Sequence, residues 1–470
     1  MPDAPPGRSW IAAGKHEASS SINDVQHCPS PIATSVPPYA VALAGRAVSA
    51  AKVVVYAGAG ISMSQPTNLP KGADLAAAIH TRLKTAFAAL ATVDPHNLLA
   101  VADAVAALPG GEEALRLTAA SSANFRTATP GYAHRVLAHL MLEGAIDILT
   151  TNWDNCIERG AGDEWLPTVT NSTSLAHVTP PWVLKIHGCA SQPDSLLVSS
   201  THLSSPPTWV QEQTRARLGS AVVLFIGIGD VAGYVQRRIE EALREVGRPV
   251  ENIRVVAPEI VTKWDESQWK TLVPDLPEDH KIPATADLFM EQLAAAYVVG
   301  RIGEHLVNLS ADVSLAADLD AAKTGLFKSD SLRVLQWARA VDINPRVGEP
   351  VLKSSELGKV LIALGHLAGT TARLNHNHIF DTDQGPVELL IATETVAPRR
   401  LVETAENRLQ DHANRGEAQP LFIVAGGVGW IPKPQSLPRN ILDEADETDV
   451  IDGPLALVLQ IRHADEVIAS

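Results

Sequence analysis

The stretch Lys52-Val-Val-Val-Tyr56-Ala-Gly-Ala-Gly-Ile-Ser62 decides the fold, because an apolar run passes without a spacer into a glycine loop. Four consecutive residues of high strand propensity read as a buried strand. A Gly-x-Gly directly after a strand lets backbone approach a pyrophosphate, with amide N–H groups as donors. The same pattern also fits a plain tight turn. Three further segments share the grammar: Thr150-Thr-Asn-Trp-Asp154, Lys185-Ile-His-Gly188 and Phe225-Ile-Gly-Ile-Gly-Asp230 each follow an apolar run. In an open parallel sheet such loops line one crevice, where ligands bind.

Working outward, a helix is expected over about 74–91, with Leu75, Ile79, Leu83 and Phe87 on one face, and more helix over 98–121. Thr129-Pro130 is expected to open another, with Thr as the cap and Pro at the first position. Strands are expected at 146–149, 183–186, 196–199, 221–226 and 253–257. The last of these closes the sheet, and a helix over 284–298 packs back onto it. A helix after the 221–226 strand places Val231, Val235, Ile239 and Leu243 on one stripe. Strand alternating with helix predicts an α/β fold: a Rossmann-like, doubly wound parallel sheet with a helical insertion between its first two core strands.

Residues 1–40, rich in Pro, Ser and Ala, read as a flexible arm. The sheet is expected to occupy 41–305, and a second α/β domain 311–470. In that second domain, helices over 329–340, 354–367 and 399–414 alternate with strands at 387–392, 420–424 and 455–461. The role expected for it is regulation, assembly or partner docking. Phe422 to Gly429 is a strand followed by glycines, either a regulatory nucleotide loop or a turn. Asp383, Glu388 and Glu394 flank a strand as nuclease carboxylates do, without the expected Lys. His376 and His378 fit a solvated loop.

The 470 residues carry a net charge of −15 and are 46% hydrophobic. The charge argues against direct nucleic-acid binding and anionic membranes, both of which need a basic footprint. The absence of a long apolar run argues against a membrane span. No basic region followed by an apolar core opens the chain, so a cytoplasmic protein is expected. Cys28, Cys156 and Cys189 form no C-x-x-C pair, which argues against a disulfide framework or structural zinc. Cys156 reads as a small buried apolar residue.

The chemistry sits at the strand ends. An Asn amide donates and accepts at once, so Asn152 can hold a ribose hydroxyl and a water together; it can equally form an Asx turn capping the next helix. His187 titrates near neutral pH and can take a proton from a hydroxyl or water, or can be structural. Gly227-Ile228-Gly229 reads as a second nucleotide loop, with Asp230 as part of it or as a helix cap.

Taken together, these motifs resemble the sirtuin family of NAD-consuming enzymes over roughly residues 45–300. Gly58-Ala59-Gly60-Ile61-Ser62 resembles the family's Gly-Ala-Gly-x-Ser phosphate loop. Thr151-Asn152-Trp153-Asp154 resembles its Gln-Asn-Ile-Asp segment, which implies Asn152 and Asp154 at the ribose and nicotinamide. Ile186-His187-Gly188 resembles its catalytic His-Gly. Gly227-Ile228-Gly229 stands where the family has Gly-Thr-Ser at the adenosine ribose. The departures are a missing Gly-Ile-Pro-Asp-Phe-Arg after the first loop, an absent four-Cys zinc module, and Arg254-Val-Val-Ala-Pro258 in place of a late Asn. This pattern resembles the bacterial defence sirtuins, which implies hydrolysis of NAD+ to nicotinamide and ADP-ribose during phage infection. It further implies no zinc, a homo-oligomer, and a HerA-type ATPase or short Argonaute as possible partner. The alternatives are an NAD-dependent protein deacylase or ADP-ribosyltransferase, and a non-catalytic nucleotide-sensing subunit.

Overall fold

The computed structural model describes residues 37–48, 53–219, 222–229, 239–240, 250–306, 313–340, 354–375, 377–392, 398–426, 431–433, 450–452 and 460–470. The expectations for residues 1–36, Cys28, Asp230, Val231, Val235, Leu243, His376, Glu394 and the glycines at 427–429 lie outside these residues.

The first sheet has seven strands: β1 Val53–Ala57, β2 Ile146–Thr150, β3 Thr168–Val169, β4 Val183–Lys185, β5 Val222–Ile226, β6 Ile253–Val256 and β7 Lys281–Ile282. Their order is β3-β4-β2-β1-β5-β6-β7, and every pairing is parallel. The chain builds to one side of β1 through β2, β3 and β4, then crosses and builds to the other through β5, β6 and β7. β1 is thus the switch point, and the carboxyl ends of β2, β1 and β5 lie side by side, as the doubly wound reading requires. The edge strands β3 and β7 escaped the sequence reading because two-residue strands have no periodicity to detect. β7, not β6, closes the sheet. The strand expected at 196–199 is irregular chain after a short 3-10 turn.

β1 and β5 are buried along their full length. Alternate residues serve opposite faces. Val53, Val55, Ala57, Ile148 and Leu224 pack against α1 (Pro38–Val48), α5 (Tyr132–Leu142) and the long helix α7 (Ala286–Leu306). Tyr56, Leu149 and Phe225 pack on the other face with Trp269 and Leu272. Each buried Val, Ile, Leu or Phe side chain among them contributes about 1.5–3 kcal/mol relative to exposure.

Between β1 and β2 lie α2 (Gly72–Leu83), α3 (Leu98–Ala106) and α4 (Gly111–Ser121), a helical subdomain with its own apolar core. α2 ends at Leu83, earlier than the apolar spacing predicts. Phe87 is extended there, which brings Leu90 into the same small core. Pro109-Gly110-Gly111 splits the expected 98–121 helix: Gly110 has φ +70°, and a Cβ on Gly111 would lie 1.8 Å from the Val105 carbonyl oxygen. After β2 comes the one-turn helix α6 (Cys156–Gly160).

The C-terminal region contributes α8 (Val313–Leu326), α9 (Ser331–Ala340), α10 (Ser354–Ala368) and α11 (Pro398–Arg415). Its mixed sheet runs β12-β11-β10-β9-β8, from Ile461–His463, Leu421–Ala425, Gly385–Ile391, Phe380–Thr382 and Arg373–Leu374. The β10 and β11 pair is parallel around α11, as the strand–helix–strand reading expects. The apolar layer on the α1, α5 and α7 face of the first sheet continues into this region through Leu335, Trp337, Phe380 and Ile423. Among the described residues, no helix is long and apolar enough to cross a membrane.

Candidate functional site

The loop after β1 turns at once into a 3-10 segment, Ala59–Ser62. The Gly58 amide donates to the Ile226 carbonyl at 2.9 Å, and the Gly60 amide to the Gly227 carbonyl at 2.7 Å. A Cβ on Gly60 would lie 2.7 Å from that same oxygen. One on Gly227, whose φ is +66°, would lie 2.6 Å from the Ile61 nitrogen. The glycines therefore allow the β1 and β5 loops to interlock. The amides of Gly58 and Gly60, expected as phosphate donors, are committed to this partner loop. Ile228 packs its side chain against Gly58, and among the described residues a Cβ on Gly229 would meet nothing.

Ser62, buried, is the centre of the site. Its Oγ donates to Asp154 Oδ2 at 2.9 Å and accepts from Asn152 Nδ2 at 3.1 Å. His134 Nε2 lies 3.0 Å from the same oxygen. The tautomer follows from the other nitrogen. His134 Nδ1 accepts the Gly131 amide at 3.1 Å, so the ring proton sits on Nε2 and is donated to Ser62. This arrangement also corrects the expected helix start. Gly131, not Thr129, is the N-cap of α5, and the His134 ring closes the capping box. Burial keeps His134 below its usual range despite the nearby Asp154 and Asp287 carboxylates. The imidazole is thus neutral near pH 7.

Thr150 Oγ1 donates to the Ala57 carbonyl and accepts the Asn152 amide at 3.0 Å, tying the end of β2 to β1. The Thr151 amide also reaches the Ala57 carbonyl, at 3.2 Å. The Asx turn before α6 belongs to Asp154, whose Oδ1 accepts the Cys156 amide at 3.0 Å. That leaves Asn152 free for other work. Its Nδ2 is fixed on Ser62, and its Oδ1 is buried without a hydrogen-bond partner among the described residues. An orphaned buried acceptor costs about 1–3 kcal/mol, which a ligand hydroxyl or amide would recover.

Beneath this cluster Lys185, 1% exposed, sends Nζ to the Asp154 carbonyl, and lies 3.4 Å from the Asn152 carbonyl and 3.3 Å from Glu158 Oε1. Burial opposes its charge, but Glu158, Cys189 and Asp154 outweigh it and hold the ammonium above its ordinary value. The converse holds for Asp154. Burial alone would raise it, yet Lys185, His134 and two hydrogen bonds keep the carboxyl below the usual range. Asp154 is therefore an anion with both oxygens occupied, and it acts through Ser62.

Thr150 pairs with Lys185 in register, so Asn152 and His187 each stand two residues beyond paired positions, at one end of adjacent strands. His187 is 9% exposed. Its carbonyl accepts the Leu197 amide, and Gly188 after it has φ +84°. A Cβ on Gly188 would lie 2.2 Å from the Ser195 carbonyl oxygen, so glycine is required there. Nearby, a cleft of about 560 Å3 runs between residues 66–70 and 122–129. Its lining is apolar groups, hydroxyls and amides, with no charged side chain.

The sequence reading missed His134 and gave Lys185 no role. Both sit within otherwise apolar runs, and a polar residue at an inward position of an amphipathic pattern was the available signal. Cys156 is buried as expected, and burial and Asp154 push its thiol far up. Ligand-type atoms of His134, Asp154 and Cys156 lie within 4.8 Å of one another. This donor set is distinct from a four-Cys module, and the Ser62 hydroxyl already bridges its histidine and carboxylate.

A comparison with curated proteins finds no match. A structure from work on the mechanism and regulation of Sir2 enzymes shares 13% identity at a TM-score of 0.34, over 56% of this chain and 99% of that one. A mutant Sir2 homologue in complex with ADP-ribose shares 15% at a TM-score of 0.29, over 53% and 92%. Residues 147–272, the segment that carries Asn152, Asp154, Lys185, His187 and the Gly227 loop, match the family model of the SIR2-like domain.

Proposed function

We propose that this chain hydrolyses NAD+ to nicotinamide and ADP-ribose, and that it is the NAD-depleting effector of an anti-phage defence system. The observation that carries the reading is the Asn152 amide. One end is locked on Ser62, and the other is a buried acceptor without a partner, at the switch point of a doubly wound sheet.

Nicotinamide is a cationic leaving group while bound and departs neutral, so bond cleavage needs little acid assistance. The C–N bond breaks first and leaves an oxocarbenium-like ribosyl group, as in glycoside cleavage generally. Water then adds to the anomeric carbon, and its proton passes to His187, directly or through a ribose hydroxyl. Asn152 Oδ1 orients the ribose and that water. Ser62, His134 and Asp154 hold the Asn152 amide in one orientation. Gly58 to Ser62, Thr151 and Gly227 to Gly229 line the dinucleotide. The four-Cys module that would frame an acyl-lysine peptide is missing from the sequence, which favours water over a peptide acceptor. The active form is a homo-oligomer, with a HerA-type ATPase or a short Argonaute as candidate partner.

The test is nicotinamide release from NAD+ by the purified protein, alone and with proteins encoded beside it. Asn152→Ala and His187→Ala are expected to lose cleavage by about 100-fold or more while remaining folded. Full activity in both variants would end the proposal.

A further inference from the structure

His134 reaches Ser62 from the first turn of α5, and α5 is gripped along its length by the C-terminal region. Three contacts on one side of α5 make the grip. The Tyr132 hydroxyl accepts the Leu332 amide at 3.2 Å, and His139 Nε2 accepts from Gln336 Nε2 at 3.0 Å. Arg339 Nη1 lies 3.2 Å from Glu143 Oε1 at the helix end. Residues 132, 139 and 143 lie along one face of α5, and 332, 336 and 339 along one face of α9. The two helices therefore run side by side in the same sense.

Arg339 also makes a second connection. Its Nε lies 3.3 Å from Glu164 Oε1, and its Nη2 pairs with the other oxygen. Glu164 is in the turn just after α6, the helix that the Asp154 turn begins. One guanidinium thus bridges the segment carrying His134 and the segment carrying Asp154. The bridge is well shielded: the Arg339 side chain is 15% exposed and that of Glu143 is 5%. Tyr297 Oη holds the second oxygen of Glu143 at 3.1 Å. α5 and α6 also touch directly, since a Cβ on Gly160 would lie 2.8 Å from the His134 carbonyl oxygen.

We propose that α9, through Arg339, Gln336 and the Leu332 amide, sets the placement of His134 and the Asp154 turn around Ser62, so that Arg339 is a positioning residue for NAD+ cleavage. The proposal rests on the function given above. A side-by-side helix pair transmits a shift as a rigid body, because packed interfaces do not deform continuously. Losing the Arg339 bridge leaves only the direct packing at Gly160 to couple α5 and α6, so the partners of Ser62 are held less firmly. The C-terminal region thereby acquires a physical lever on the site.

The test uses the full chain with Arg339→Ala, Arg339→Lys and Gln336→Ala. For Arg339→Ala, kcat for nicotinamide release is expected to fall about tenfold, the size of a typical remote coupling, with KM for NAD+ nearly unchanged. Arg339→Lys is expected to recover part of the loss. Nitrogen-15 histidine NMR should show the His134 titration moving upward, towards the ordinary histidine range. Amide exchange over residues 132–143 should quicken. An unchanged His134 signal and unchanged kcat in folded Arg339→Ala would overturn the proposal. If that variant does not fold, Arg339→Lys and Gln336→Ala carry the same two readouts and decide it. If the native protein does not cleave NAD+, the functional reading fails, while the NMR and exchange results still decide the coupling.

Discussion

Ser62 Oγ lies 2.9 Å from Asp154 Oδ2, and this bond uses the only proton the hydroxyl has. Ser62 is therefore an acceptor towards both Asn152 and His134, and the whole cluster has one consistent proton arrangement. That arrangement turns the Asn152 amide so that its oxygen is left for a ligand.

Ser62→Ala removes a group that serves three buried partners at once. Leaving buried polar groups unpaired costs about 1–3 kcal/mol each, and less than additively within one network. A stability loss of about 3 kcal/mol is expected in urea unfolding, together with loss of nicotinamide release. A variant as stable as the native protein would contradict the hydrogen-bond assignment.

Asn152→Asp tests the donor specifically. It replaces the amide that donates to Ser62 by a second acceptor, beside the anionic Asp154. Cleavage should fall by about 100-fold or more, and the thermal midpoint should drop further than in Asn152→Ala, because like charges in a buried site repel. Equal midpoints in the two variants would argue against the buried cluster.

The two loop glycines at 227 and 229 should behave differently. Gly227→Ala forces a left-handed backbone at about 1–2 kcal/mol and drives its Cβ into the Ile61 nitrogen. Gly229→Ala meets no atom of the described residues. Calorimetric unfolding should show a loss above about 2 kcal/mol for the first and under about 0.5 kcal/mol for the second. ADP-ribose affinity should fall in the first. Similar stability losses in both would refute the interlocked loops.

Lys185→Met removes a buried cation and leaves the Glu158 carboxylate without its cationic partner. Breaking a buried pair in this way costs about 3–5 kcal/mol. It also removes the leading influence that holds Asp154 low, so that carboxyl should titrate higher. Urea denaturation between pH 4 and pH 8 checks both effects.

Burial, reinforced by Arg339, lowers His139 to about 4, against about 6.5 for an unfolded histidine. Between those values the unfolded chain binds the proton and the folded chain does not. The stability contribution is therefore complete above about pH 6.5 and is lost progressively as pH falls towards 4. The full effect is about 3 kcal/mol, and at pH 5.5 about 1.4 kcal/mol. His139→Gln should reduce the stability difference between pH 7.5 and pH 5.5 by about that amount. An identical pH dependence in both proteins would rule out this assignment.

The parallel sheet was legible because β1, β2 and β5 are apolar runs with loop residues at their ends, and buried parallel strands have no other appearance. Ser62, Asn152, Asp154 and His187, proposed here to carry the site chemistry, stood out as candidates because they follow the apolar runs of β1, β2 and β4. His134 was not. It lies in the first turn of a helix whose apolar residues dominate the pattern, and its importance comes from meeting Ser62, 72 positions away. The split of α3 from α4 was written in Pro109-Gly110-Gly111, but the end of α2 had no such marker and followed from packing around Leu90.

Local chain chemistry thus determined the strands, the glycine turns and the residue types available for nucleotide chemistry, because propensity and periodicity act within a few residues. Only the tertiary structure decided how those residues are used. It committed the Gly58 and Gly60 amides to the β5 loop, gave Asp154 a role through Ser62, and brought Arg339 onto Glu143 and Glu164. The reason is that a hydrogen bond or ion pair between distant segments depends on where the packed core places them, and no short window of sequence contains that information.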